Sequence, residues 1–92
     1  SVATPAAIDE SISLLRKAVI SDTNPRAHRL LATAYFKQNK LPLADAETAQ
    51  AYFLEGDVKQ AQLFAKRAQR VLKQGTPEWL RNDDIINYKT QT

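Results

Sequence analysis

His28 is the single histidine of a 92-residue chain without cysteine, which decides most of the bond-breaking chemistry the sequence can host. A hydrolytic zinc site needs about three protein ligands and an open position for water. One imidazole with scattered carboxylates does not supply that set, so no metal ligand is assigned. The HExxH pattern is absent: Arg29 follows His28, and no second histidine exists. A nucleophile paired with a base fares no better, because the only base candidate is that same histidine and no serine is placed beside it by spacing. No catalytic residue and no cofactor are therefore expected in this chain. His28 reads as a partly exposed helix residue near a cap. Asp83-Asp84 could bind a cation, but the pair reads more simply as solvated near the end of the last helix.

Recognition chemistry is better represented. Lys59, Lys66, Arg67, Arg70 and Lys73 follow one another with no acid between Val58 and Gln74. Such a face could receive phosphate or an acidic peptide. It equally suits a solvent face whose cations sit near a helix C-terminus, where the helix dipole favours them. No aromatic residues interleave these charges as a stacking platform would require, so nucleic acid is not the expected partner. The net charge of +3 and pI near 9.4 bias the chain mildly toward acidic partners. Charged residues at 25% and apolar ones at 43% suit a folded domain. No apolar run reaches the roughly 18 residues of a membrane span, so no membrane insertion is expected. The start, SVATPAAIDE, shows no targeting signal.

The elements that must position these residues are helices. Thr4-Pro5, Asn24-Pro25 and Thr76-Pro77 repeat one device, a capping side chain followed by proline at the first helical position. The first helix is predicted from Pro5 to Ile20, with Ile8, Ile12, Leu15 and Val19 on one stripe and Ser21-Asp22-Thr23 as its exit. The second runs from Pro25 to Gln38 and buries Ala27, Leu30, Leu31, Ala34 and Tyr35. Asn39-Lys40 suits a left-handed turn. The third starts near Pro42 and ends at Glu55, with Ala44, Ala51 and Tyr52 on its face, Gly56 as its stop and Asp57 as the next cap. The fourth spans Val58 to Lys73 and aligns Ala61, Phe64, Ala65, Ala68, Val71 and Leu72, with Gly75 closing it. A shorter fifth helix from Pro77 buries Trp79, Leu80 and one of Ile85 or Ile86. Lys89 to Thr92 reads as a frayed tail. Strand signals are absent. The expectation is one all-α domain: an antiparallel array of four main helices plus a short C-terminal capping helix.

The middle of the chain says one thing twice. Ala32, Tyr35, Ala44 and Ala51 are followed, seventeen residues on, by Ala49, Tyr52, Ala61 and Ala68. Seventeen residues make one helix of about four turns plus a tight turn. The spacing Ala-x2-Tyr-x8-Ala-x6-Ala, with Gly56-Asp57-Val58-Lys59-Gln60-Ala61 as an inter-helix turn, resembles the tetratricopeptide repeat. That repeat is about 34 residues long, so here the third helix would close one hairpin and open the next. A closer resemblance covers His28-Arg29-Leu30-Leu31-Ala32, Ala65-Lys66-Arg67-Ala68 and Gly75-Thr76-Pro77-Glu78-Trp79-Leu80-Arg81-Asn82-Asp83-Asp84-Ile85. These strings are similar to the C-terminal segment of bacterial HtpX-related periplasmic zinc metalloproteases.

That resemblance implies a client- or partner-binding repeat domain belonging to a longer protein. Zinc and its HExxH helix would lie in an upstream domain, and the location would be periplasmic or membrane-associated. With the second helix in first-helix position, the groove-facing residues become Arg26, Arg29, Thr33, Phe36 and Lys37. They suit an acidic or extended peptide with one apolar anchor. Phe36 could instead pack on Ile8 or Ile12. The asparagine that some such domains use for a terminal carboxylate is replaced by Thr33. Trp79 would cap the open end of the array. The alternative to client binding is a module that oligomerises or docks on its own catalytic domain.

Overall fold

A computed structural model describes residues 4–21 and 23–90. Asp22 of the predicted first exit loop, and the last two residues of the tail, lie outside the described residues. Five helices follow in order: α1 (Pro5–Ser21), α2 (Pro25–Lys37), α3 (Leu41–Leu54), α4 (Val58–Gln69) and α5 (Pro77–Ile86). The described residues contain no strand. The fold is the antiparallel array expected, with four main helices and a short fifth.

Four of the five helix starts have a side chain on a free amide. Thr4 Oγ1 accepts from the Ala7 amide at 3.1 Å, Asn24 Oδ1 from Arg26 at 2.9 Å, Asp57 Oδ1 from Gln60 at 3.2 Å and Thr76 Oγ1 from Trp79 at 3.3 Å. Only α3 starts without one.

The seventeen-residue period extends to the turns. Asn39 (φ 58°) and Gly56 (φ 84°) both take left-handed backbone at equivalent places. In each turn the next amide reaches back to a tyrosine carbonyl, Lys40 to Tyr35 and Asp57 to Tyr52, both at 2.9 Å. Glycine takes such a φ without steric cost, and asparagine tolerates it better than most residues. The third equivalent position is Lys73, where the device fails and α4 stops early at Gln69. Thr76 instead engages the Lys73 carbonyl, through its amide at 3.2 Å and its hydroxyl at 2.8 Å. The positive φ falls at Gly75. The predicted extension of α4 to Lys73 is thus corrected, and Val71, expected on the buried stripe, is 70% exposed.

Helices pack in chain order, α1 on α2, α2 on α3, α3 on α4 and α4 on α5, with α5 also folding back on α3. The body measures 47 × 26 × 19 Å. One apolar cluster joins Ile12 of α1, Leu31, Ala34 and Tyr35 of α2 and Ala44 of α3, with Ile8, Leu15 and Val19 packed against it. A second joins Ala49 of α3, Ala61 and Ala65 of α4 and Ile85 of α5. The alanines Ala49, Ala51, Ala61, Ala65 and Ala68 have no exposed surface, so the seams of α3 and α4 are lined by methyl groups. Small side chains there let helix axes come close, toward about 8 Å. Being central, α3 buries alanines toward both neighbours, which is why it lacks a single apolar face.

Two leucines expected in the core lie elsewhere. Leu30 is 48% and Leu80 49% exposed, because α1 covers only the Leu31 side of α2 and α5 turns Ile85 rather than Leu80 inward. Ala27 is half-buried.

Candidate functional site

The expected groove residues divide between the two sides of α2. Thr33 and Phe36 line a concavity of about 810 Å³ across α2, α3 and α4, together with Leu41, Thr48, Phe64 and Val71. Phe36 is 67% exposed, so the packing on Ile8 or Ile12 that its position also allowed does not occur. Thr33 and Lys37 border a smaller hollow of about 430 Å³ between α1 and α2, beside Leu14 and Leu30. Arg26 is exposed and lines neither.

Arg29 is held by its neighbours. Its guanidinium forms two hydrogen bonds with Glu55, Nε to Oε2 at 3.3 Å, and lies 4.7 Å from the centroid of the Tyr52 ring. Tyr52 stacks on Phe64 at 5.6 Å, and Arg67 lies 4.8 Å from the Phe64 centroid while bonding both oxygens of Asp45 at 2.7 and 2.8 Å. Glu55, Arg29, Tyr52, Phe64, Arg67 and Asp45 therefore form one ladder across α2, α3 and α4. Each planar guanidinium has one face on a ring and its edge on a carboxylate, which fixes its orientation. Composition alone placed Arg67 with the basic face; the structure assigns it to this ladder. Lys59, Lys66, Arg70 and Lys73 are exposed, and none makes an ion pair with a described residue.

On the opposite side α1 and α5 stand apart as the walls of a cleft of about 820 Å³ floored by α2 and α3. Its floor contains His28, whose Nδ1 lies 2.7 Å from Glu47 Oε2, with only 12% and 14% of the two side chains exposed. A carboxylate only accepts, so Nδ1 is the donor. His28 is, as the sequence reading had it, a partly exposed residue in the first turns after the Asn24 cap; its link to Glu47, which ties α2 to α3, was not foreseen. Tyr35 exposes 6% of its surface, and burial raises its phenol above the ordinary value. Glu47 and Glu78 push the same way while Arg16 opposes them, so charges from α1, α3 and α5 converge on this α2 residue. Arg81 and Glu78 form a loose pair at 3.8 Å on the α5 wall. Arg16 and Glu47 went unnoticed in the sequence, and Tyr35 was read only as a buried repeat residue, because no short spacing connects them; only the placement of α1 and α5 on one side brings them together.

Asp83 is more engaged than expected, since Gln69 Nε2 donates to its Oδ1 at 3.0 Å. Among the described residues no three His, Cys, Asp or Glu side chains cluster as metal ligands would. No helix there is long and apolar enough to cross a membrane.

The closing helix seals its seam with Ile85 (3% exposed) and Asn82 (1%) more than with Trp79, which is half-buried. Gln62 Nε2 ties down the end of α5 through the carbonyls of Ile85, Ile86 and Tyr88 at 2.9–3.3 Å. Trp79→Ala is accordingly expected to cost about 2 kcal/mol, below the range of about 3–5 for a fully buried indole, and less than Ile85→Ala. Thermal unfolding of the two variants checks the order. Comparison with protein-family profiles, with curated proteins and with solved structures gave no match.

Proposed function

We propose that this chain is a noncatalytic polypeptide-binding module. It holds an extended partner segment in the groove across α2, α3 and α4. The observation that carries this reading is the convergence of Phe36, Leu41 and Val71, 67%, 47% and 70% exposed, on a single concavity. Contiguous exposed apolar surface of this kind marks interaction sites, whereas isolated exposed residues do not.

The occupant's chemistry follows from the rim. Lys40 and Arg70 adjoin Leu41 and Val71 in the chain, are exposed and have no acidic partner among the described residues. The one acid in the lining, Asp45, is engaged by Arg67. The segment that fits therefore carries one large apolar side chain flanked by Asp or Glu. By the resemblance noted above, the module would present such a segment of a protein client to a zinc-bearing catalytic domain elsewhere in a longer periplasmic or membrane-associated protein.

The test is binding of a dye-labelled acidic peptide with a central leucine, followed by fluorescence anisotropy. Phe36→Ala should weaken binding about 30-fold, the equivalent of a 2 kcal/mol anchor, while changing stability by less than about 0.5 kcal/mol. Unchanged affinity would remove the groove from consideration. Concentration-dependent self-association that disappears in Phe36→Ala would assign the groove to a second copy of the chain.

A further inference from the structure

We infer that the groove across α2, α3 and α4 selects an aromatic side chain on its occupant, and that Arg67 is the residue that makes the selection. The inference rests on the polypeptide-binding reading above and narrows it: the one large apolar side chain of the bound segment is phenylalanine, tyrosine or tryptophan.

The first argument is how Arg67 is held. Phe64, Arg67 and Val71, at helical spacing, line one wall of the groove. Asp45 accepts from Nε and Nη2 of the guanidinium at 2.8 and 2.7 Å, and the guanidinium carbon lies 4.8 Å from the Phe64 centroid. Even so, 61% of the side chain remains exposed. A planar cation fixed along one edge and covered on one side keeps its other side for a second flat partner. Guanidinium stacks on rings in this way, and the compact ammonium of lysine does not.

The second argument is charge. Asp45 neutralises Arg67, so a carboxylate on the occupant gains little from this residue. What Arg67 offers is a polarised flat surface, held in place before anything binds. Preference for acids therefore belongs to the unpaired Lys40 and Arg70, and preference for a ring belongs to Arg67.

The third argument is the rest of the lining. Its other polar side chains, Thr33 and Thr48, donate their hydroxyls to the carbonyls of Arg29 and Ala44 at 3.0 and 2.8 Å, within their own helices. Ala44 is buried and Ala32 half-buried, whereas Phe36, Leu41 and Val71 are exposed. Small side chains thus lie low in the groove and large ones stand at its rim. An aliphatic side chain would bury apolar surface there but would gain nothing further from Arg67.

Arg29 supplies the comparison within the same molecule. It bonds Glu55 and lies 4.7 Å from the Tyr52 centroid, the same pair of contacts, but its side chain is 42% exposed and it lines none of the three concavities described. Ring and carboxylate together hold an arginine still; only at Arg67 does the held group border a groove.

The experiment uses the whole chain and two dye-labelled acidic peptides that differ only at the central residue, phenylalanine in one and cyclohexylalanine in the other. The two side chains have nearly the same shape, and only the first has a π-face. Fluorescence anisotropy should show the phenylalanine peptide binding about fivefold more tightly. Arg67→Lys keeps a cation beside Asp45 and loses the flat face, so it should bring the ratio of the two affinities close to unity. Arg29→Lys should leave the ratio as it is in the parent. Because both peptides are measured on the same variant, a general loss of structure weakens them together and does not imitate the change in ratio. Equal affinities in the parent, or an unchanged ratio in Arg67→Lys, overturn the inference and leave the groove reading standing. Failure of both peptides to bind removes the groove reading and this inference with it.

Discussion

Leu31→Ala is expected to lower the midpoint of thermal unfolding by about 10–30 °C. Leu31 has no exposed surface and belongs to the apolar cluster that draws Ile12 from α1, Ala34 and Tyr35 from α2 and Ala44 from α3. Truncating such a leucine removes its transfer free energy and leaves a cavity, about 2–5 kcal/mol together. A domain of this size loses about 4–8 °C per kcal/mol. The loss should not be uniform. Among the described residues α1 makes tertiary contact with α2 only, so its amides should exchange fastest, before those of α3. Leu30→Ala, one residue away and 48% exposed, is the internal control and should change the midpoint by only a few degrees. A small shift for Leu31→Ala, or equal shifts for both, would contradict the placement of the core.

The contrast between these neighbours shows which layer of the architecture can be read from the chain. Caps, turns and seams are local or periodic, so Asn24, Asn39, Gly56 and the alanine ladder declare themselves in the sequence. Whether Leu30 or Leu31 faces inward depends on which side of α2 receives α1, and two adjacent leucines satisfy either choice. The same holds at the C-terminus. The apolar stripe of α4 continues through Val71 in the sequence, but the helix ends at Gln69, since the turn into α5 engages the Lys73 carbonyl. The groove was half legible for this reason. Thr33 and Phe36 lie where helical spacing puts them, whereas Arg29 and Arg67 are recruited into ring and carboxylate contacts between helices. The cleft was not legible at all, because its two walls are sixty residues apart in the chain.

The second large effect concerns the seams. Ala65→Leu is expected to destabilise the chain by about 1–3 kcal/mol, or about 5–20 °C in midpoint. Leucine forms helix nearly as well as alanine, so if Ala65 served only to keep α4 helical the change would be close to neutral. The predicted cost comes instead from packing. Ala65 has no exposed surface and shares its cluster with Ala49 and Ala61, which leaves no room between α3 and α4 for a branched side chain. Relief requires the two axes to separate. Ile85 belongs to the same cluster, so that separation would also loosen α5, with exchange rates rising there as well as in α4. Ala6→Leu, at an exposed position in the first turn of α1, adds the same atoms without a seam and should leave the midpoint within a few degrees of the parent. If both leucines are tolerated equally, the methyl-lined seams do not hold the array together, and the seventeen-residue period loses its structural explanation.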